Sequence, residues 1–163
     1  MTRLAAALAA ASVLVVVARG AAQSRDVEVR TSLSKTAVWV ADRVTYTITI
    51  ACSKAVDILA DDLAKDKLRV DGLDVVATDW DRTATADDRT IYTFHYDMTT
   101  YRVDQPELKI APLTVRYYMR RAGQRPGDAA PAGEVQIPAT VIAFRSALPD
   151  GQETYPIRDG RDV

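Results

Sequence analysis

The strongest constraint on the fold is a strict two-residue alternation of apolar and polar side chains in residues 43–52. The apolar positions are Val44, Tyr46, Ile48, Ile50 and Cys52. Successive side chains of a β-strand point to opposite faces of a sheet, so this pattern predicts a strand with one buried face. Residues 89–98 repeat the alternation and predict a second strand. Its expected core positions are Tyr92, Phe94, Tyr96 and Met98.

Shorter segments with strand character cover most of the remaining chain. They are residues 26–30, 39–40, 56–59, 70–76, 108–110, 113–119 and 134–144. Residues 60–68 carry leucines at roughly helical spacing and predict a helix of one to two turns. Pro138 is expected at an edge or a bulge, because proline has no amide N–H to donate. About seven to nine short strands without alternating long helices predict an all-β, immunoglobulin-like antiparallel sandwich.

The first 22 residues have the features of a signal peptide. A basic start with Arg3 precedes an apolar run over residues 4–18, and small residues at 20–22 suit cleavage after Ala22. The run is shorter than the roughly 20 apolar residues that span a membrane. An uncleaved amino-terminal anchor is the alternative, since Arg19 can flank a span. We predict an exported, periplasmic protein with one domain at residues 23–147 and a tail at 148–163.

Charge and cysteine content limit the possible functions. Without Arg3 and Arg19, 19 of the 21 basic residues remain against 22 acidic ones, so the mature net charge is −3. That balance argues against nucleic-acid binding. The single cysteine cannot form an intramolecular disulfide, so stability must come from the hydrophobic core.

The catalytic candidates are few. His95 is the only histidine and Cys52 the only cysteine, so a Ser-His-Asp or Cys-His mechanism would depend on them. His95 falls on the polar face of its predicted strand, whereas Cys52 falls among core positions. One histidine and one cysteine do not make a zinc site. We therefore predict a non-catalytic protein with no metal and no cofactor.

Two acidic segments have ordinary interpretations. Residues 79–88 place oxygen-bearing side chains at alternate positions, as calcium loops do, but Ala84 stands where an EF-hand needs glycine and Thr90 where it needs glutamate. We expect an exposed polar hairpin tip there. A second acidic group is expected on the solvated side of the short helix and its approach. It comprises Asp57, Asp61, Asp62 and Asp66.

A basic stretch gives a candidate partner surface. On the strand at 113–119, the odd-numbered positions, from Leu113 to Met119, are expected to face the core and the even-numbered ones to face solvent. The outward positions continue into a loop at 121–133 and suit an acidic partner or lipid headgroups. The alternative is a solvated edge strand guarded by charge. The candidate residues are Arg116, Tyr118, Arg120, Arg121 and Arg125.

Residues 36–48 resemble the opening of the BatD-like proteins, exported bacterial proteins associated with oxygen tolerance. That family begins with a strand, a turn of the form V-G-[DE]-x-[VF] and a threonine-rich strand, and Ala41 stands at the glycine position. Residues 137–140 and 145–149 also resemble segments of the BatD-like proteins. The resemblance implies a periplasmic, membrane-proximal interaction module of an envelope complex. It implies partners among envelope or inner-membrane proteins, including proteins with von Willebrand-type domains.

Two functions therefore fit the sequence. The first is a protein-interaction domain that uses a sheet edge or the loop at 121–133, which the all-β pattern without catalytic groups favours. The second is a carbohydrate- or metal-binding accessory domain in which Trp39, Trp80 and nearby aspartates contact the ligand.

Overall fold

The computed structural model describes residues 26–123, 125 and 128–145. Eleven strands lie in these residues: β1 (Val27–Leu33), β2 (Ala37–Val38), β3 (Arg43–Cys52), β4 (Val56–Ile58), β5 (Val70–Asp71), β6 (Asp74–Ala84), β7 (Thr90–Thr99), β8 (Glu107–Ile110), β9 (Leu113–Met119), β10 (Gly133–Ile137) and β11 (Thr140–Phe144). The predicted signal peptide, its cleavage site and the tail lie outside the described residues. Within the described part, no helix has the length and apolar character needed to cross a membrane.

The strands form three sheets around one hydrophobic core. Their orders are β1-β3-β7-β6, β10-β9-β4 and β2-β11-β8-β5. Neighbouring strands are antiparallel, except that β2 and β11 are parallel. Buried side chains from all three sheets belong to one cluster. The predicted all-β antiparallel sandwich is confirmed, with eleven strands in place of seven to nine.

The two alternating segments form the centre of the four-stranded sheet. β3 and β7 pair over their full lengths, from Arg43↔Thr99 to Cys52↔Thr90. All nine predicted core side chains on these strands are at most 3% exposed. The Tyr96 hydroxyl also donates a hydrogen bond to the Leu63 carbonyl oxygen at 2.6 Å. The sequence periodicity therefore located the centre of the core correctly.

Two prolines explain why the second side of the sandwich is divided into two sheets. The segment at 134–144, predicted as one strand, is β10 in one sheet and β11 in another, with Pro138 and Ala139 between them. Pro112 separates β8 from β9 directly opposite this break. Leu113 of β9 pairs with Ile137 of β10, and Ile110 of β8 pairs with Thr140 of β11. Neither proline can donate to a ladder, so the hydrogen bonding stops there.

The predicted helix at residues 60–68 is reduced to a 3₁₀ helix at Ala60–Leu63. Leu63 and Leu68 are both buried. In an α-helix, residues five positions apart point roughly 140° away from each other. The chain must leave the helix to bury both leucines, which explains the shorter element.

Candidate functional site

β6 is the longest strand and lies at an edge of the four-stranded sheet. It pairs with β7 from Asp74↔Thr99 to Ala84↔Thr90, and among the described strands no other pairs with it. The register shifts between Val75 and Ala77, which makes Val76 the extra residue of a bulge. Every residue from 76 to 84 is exposed. The edge of β6 that faces away from β7 therefore offers unpaired backbone donors and acceptors to another strand.

The length of β6 corrects the interpretation of residues 79–88. Residues 79–84 belong to the strand, and the hairpin tip is confined to residues 85–89, where the Thr85 amide donates to the Arg89 carbonyl oxygen at 2.8 Å. Alternate residues of a strand lie roughly 6.6 Å apart, so their oxygens do not converge on one cation. In the described residues, no group of three or more His, Cys, Asp or Glu side chains is arranged to hold a metal ion.

The core-facing side of β6 is left uncovered. Thr78, Trp80 and Arg82 stand directly opposite the core residues Tyr96, Phe94 and Tyr92 of β7. Trp80 is nevertheless 52% exposed. Its ring stacks on the Phe94 ring, with centroids 5.7 Å apart and an interplanar angle of 17°. Trp80 thus rests on the margin of the core and keeps a large apolar area in solvent.

Arg82 connects this uncovered side to the facing sheet. Its guanidinium lies 5.5 Å from the centre of the Tyr92 ring and 3.5 Å from the carboxylate of Asp57 on β4. Asp57 also accepts a hydrogen bond from the Tyr92 hydroxyl and lies 3.6 Å from Arg120. Two guanidiniums share one carboxylate, so the inner side of the β6 edge is positively charged.

The outer side of the same edge is acidic. Asp79 and Asp81 stand directly opposite His95 and Thr93 of β7, on the face that points away from the core. Neither aspartate forms an ion pair with a described residue. The Thr83 hydroxyl donates to Asp81 at 3.1 Å. The two faces of β6 therefore carry opposite charges, with carboxylates on the outer face and Arg82 on the inner face.

The predicted basic surface is only partly free. Arg116 donates to Asp62 from Nε at 2.9 Å and from Nη2 at 2.5 Å. Arg120 donates to the Val56 carbonyl oxygen at 3.3 Å and to the Thr90 hydroxyl at 3.2 Å. Arg121 and Arg125 are exposed in the connection between β9 and β10. The fold thus uses two of the four arginines to hold β9 against its neighbours.

The predicted alternation fails at the end of β9. Met119 was expected to face the core and is 53% exposed, whereas Tyr118 was expected to face solvent and is 4% exposed. Met119 lies beyond Tyr117, the last residue of β9 that pairs with β10. Tyr118 stands opposite Asp57 of β4, and the long side chains of Arg116 and Arg120 lie two positions from it along the chain. The exposure of Met119 and the burial of Tyr118 therefore depend on which strands pair with the end of β9, and the local sequence pattern does not encode this pairing.

The expectation that all four acidic residues near the 3₁₀ helix are solvated is wrong for Asp57 and Asp62. The Asp57 side chain is 17% exposed and the Asp62 side chain 11%. Each carboxylate is held by arginine from another part of the chain. Since a buried carboxylate is stable only with such partners, these two residues serve the fold.

The Asp62–Arg116 pair predicts loss of stability in acid. The hydrogen bond from Arg116 lowers the pKa of Asp62 below its ordinary value of 3.8. The added stability is therefore complete above that value and is lost as the pH falls from there through the lower pKa of the folded state. We expect Asp62→Asn to destabilise the domain by about 1–2 kcal/mol at neutral pH. Urea unfolding from pH 7 to 2.5 should show a smaller pH dependence for this variant than for wild type; parallel curves would contradict the assignment.

The two catalytic candidates lie on opposite faces of the same sheet. His95 faces outward, with Nδ1 3.1 Å from the Thr47 hydroxyl, and Cys52 is fully buried in the core. Burial raises the pKa of the Cys52 thiol to about 11. The structure therefore does not bring the histidine and the thiol together, and the thiolate is disfavoured at neutral pH.

Cys52 gives a direct prediction about reactivity and alkaline stability. At pH 8, the native domain should not react with a thiol-specific disulfide reagent, whereas the unfolded domain should react with one equivalent. The pKa of the thiol is higher in the folded state than its ordinary value of 9.0, so stability should fall as the pH rises above 9. Cys52→Ser is unsuitable as a control because it buries a hydroxyl; Cys52→Ala should remove part of this alkaline dependence. Rapid labelling of native protein would contradict the burial.

The two tryptophans do not form one site. Trp39 follows β2, and its backbone amide donates a hydrogen bond to the Asp42 carboxylate at 3.2 Å. The strand that follows this turn begins opposite Thr99, five positions along β7 from Phe94, on which Trp80 stacks. Five strand residues extend roughly 16 Å. Trp39 and Trp80 therefore do not contribute to one shared ligand site.

Comparison of the sequence with protein-family models and with curated proteins finds no match.

Proposed function

We propose that this domain is a non-catalytic protein-interaction module that binds an extended segment of a partner along the edge of β6. The observation that carries the proposal is the exposed edge of β6 over residues 76–84, combined with an uncovered inner side at Trp80. In strand addition, the backbone of an exposed edge supplies hydrogen bonds, and side-chain sites beside it supply specificity. β6 offers both features.

A different protein fits this edge better than a second copy of the chain. Two copies of β6 that pair antiparallel about a two-fold axis place residues at equal distances from the axis opposite each other. With the axis at residue 79, 80 or 81, an aspartate at 79 or 81 faces another aspartate. Like charges directly opposite each other destabilise a strand pair. The edge therefore disfavours self-association in the registers that use its centre.

We propose the periplasmic face of a bacterial envelope complex as the setting of this interaction, in the manner of the BatD-like proteins. The signal-peptide features and the resemblance of residues 36–48 support it. Ala41 has a φ of 64°, the left-handed region that favours glycine, and the BatD-like turn carries glycine at this position. The partners proposed on this ground are envelope or inner-membrane proteins, including those with von Willebrand-type domains.

The test is affinity purification of the tagged domain from crosslinked native envelope, with mass spectrometry of the bound proteins. Trp80→Lys places a charge beside the edge, which disfavours strand addition. Trp39→Lys is the matched control, because Trp39 is exposed to a similar degree on another part of the surface. We expect a specific envelope partner with wild type and with Trp39→Lys, and its loss with Trp80→Lys. A partner retained by both variants would overturn the assignment to β6.

Carbohydrate binding is the second candidate, and the exposed ring of Trp80 is the observation that favours it. Aromatic rings that are rigidly held and open on one side suit flat apolar ligands, and Trp80 is held by Phe94. Titration with envelope glycans should then change tryptophan fluorescence in wild type and in Trp39→Phe, but not in Trp80→Phe. Unchanged fluorescence and melting temperature in all three proteins would reject this candidate.

A further inference from the structure

We infer that the segment bound at β6 is a strand with basic side chains at alternate positions and apolar side chains between them. This inference rests on the proposed function and adds the chemistry of the partner. The side chains of an added strand must fall alternately on the outer and inner faces of the sheet. The two faces of β6 differ in charge and apolar character, so they require different side chains from the partner.

The outer face selects for positive charge. Asp79 and Asp81 are two positions apart on an exposed strand, and neither is neutralised by a described arginine or lysine. Asp97 of β7 adds a third carboxylate to this face, where it accepts a hydrogen bond from the Thr45 hydroxyl at 2.7 Å. An added strand with lysine or arginine at two alternate positions would place them opposite Asp79 and Asp81. Each opposite-charge pair across strands contributes roughly 0.2–1 kcal/mol.

The inner face selects against positive charge and for apolar surface. Trp80 presents an open aromatic surface on this face, and Val76, the extra residue of the bulge, is also exposed near the start of β6. Arg82 lies two positions from Trp80 on the same side, where Asp57 is already shared with Arg120. A basic residue of the partner at these inner positions would therefore meet a guanidinium. Apolar residues would instead cover Trp80 and extend the core outward.

These requirements also distinguish strand addition from simple charge attraction. A peptide with lysine at every second position and valine between can satisfy both faces at once. A peptide of the same composition with the residues in pairs, lysine-lysine-valine-valine, has the same net charge but cannot place its lysines on one face. A third peptide with glutamate in place of lysine keeps the alternation and reverses the charge.

The experiment is titration of the domain with these three peptides, each eight residues long, capped and fluorescently labelled, with anisotropy as the readout. We expect the alternating lysine peptide to bind at least about tenfold more tightly than either of the others, since two cross-strand pairs and the apolar contacts together exceed about 1.4 kcal/mol. The double variant Asp79→Asn, Asp81→Asn should weaken its binding about fivefold. The matched control Asp61→Asn, Asp66→Asn removes the same charge from exposed positions near the 3₁₀ helix and should change nothing.

The outcomes separate this inference from the proposed function. Equal binding of the lysine and glutamate peptides, or no effect of the Asp79 and Asp81 substitutions, would overturn the inferred partner chemistry. If Trp80→Lys still abolished capture of the envelope partner in that case, strand addition at β6 would stand. Equal binding of the alternating and paired lysine peptides would show charge attraction without strand addition and would likewise overturn the inference. Absence of binding by all three peptides would overturn it as well.

Discussion

Replacement of Asp57 by alanine is expected to lower the free energy of unfolding by about 2–3 kcal/mol, because a charge-assisted hydrogen-bond network is removed from a mostly buried place. The carboxylate accepts a hydrogen bond from the Tyr92 hydroxyl and lies between Arg82 and Arg120. Without it, two guanidiniums repel each other and the tyrosine hydroxyl loses its acceptor. Urea denaturation followed by circular dichroism measures the change.

Asp61→Ala is the control for this substitution. Asp61 is exposed and forms no ion pair with the described residues, so its replacement should change stability by less than about 0.5 kcal/mol. Asp57→Ala should in addition remove the contact between β6 and β4, because Arg82 loses its ion pair with the facing sheet. Equal stabilities of the two variants would show that the network around Asp57 contributes nothing measurable.

Gly72→Ala is expected to destabilise the domain by about 2–4 kcal/mol, through a strained backbone and a steric clash together. Gly72 has a φ of 75°, a conformation that favours glycine. A Cβ atom there would lie 2.6 Å from Cδ2 of Leu108 and 2.8 Å from Oε1 of Gln105. Leu108 is fully buried, and in a close-packed core a shift of its side chain displaces other core atoms. The Thr100 hydroxyl also holds the Gly72 carbonyl oxygen, at 2.6 Å.

Gly123→Ala separates the two causes. Gly123 has a φ of 76°, almost the same as Gly72, but no atom lies within 4 Å of the Cβ position. This variant should therefore show the backbone cost alone, about 1 kcal/mol. The difference between the two variants measures the crowding under Gly72. Equal losses of stability would show that Leu108 and Gln105 accommodate the added methyl group.

The sequence predicted the centre of the fold well because the information there is local. Residues such as Ile48 and Phe94 alternate with threonines, and a half-buried strand has only one way to place such a pattern. The division of the second side of the sandwich was not predicted, although Pro112 and Pro138 were visible. Whether two prolines fall opposite each other depends on strand register, which a single strand does not reveal.

The sequence did not predict the candidate site on β6. The surface that the sequence predicts is the basic stretch from Arg116 to Arg125, whose strand β9 lies between β10 and β4 and is not a sheet edge. Residues 79–84 fall in a segment that the sequence predicts as a polar hairpin tip, because its aspartates resemble those of a loop. Their alternation of acidic with aromatic and basic residues was the available signal for a strand with two different faces. That the facing sheets would leave Trp80 uncovered, and that Asp57 would bind Arg82, depends on contacts between distant segments and has no local signature.

The most direct test of the central claim is site-specific photocrosslinking from the edge of β6 in native envelope. Benzoylphenylalanine replaces Val76 in one protein and Val141 in another, two valines that are 48% and 51% exposed on different sheets. We predict a partner adduct from position 76, its loss when Trp80→Lys is added, and no adduct from position 141. Adducts of equal yield from both positions, or an adduct at 76 that survives Trp80→Lys, would contradict binding along β6.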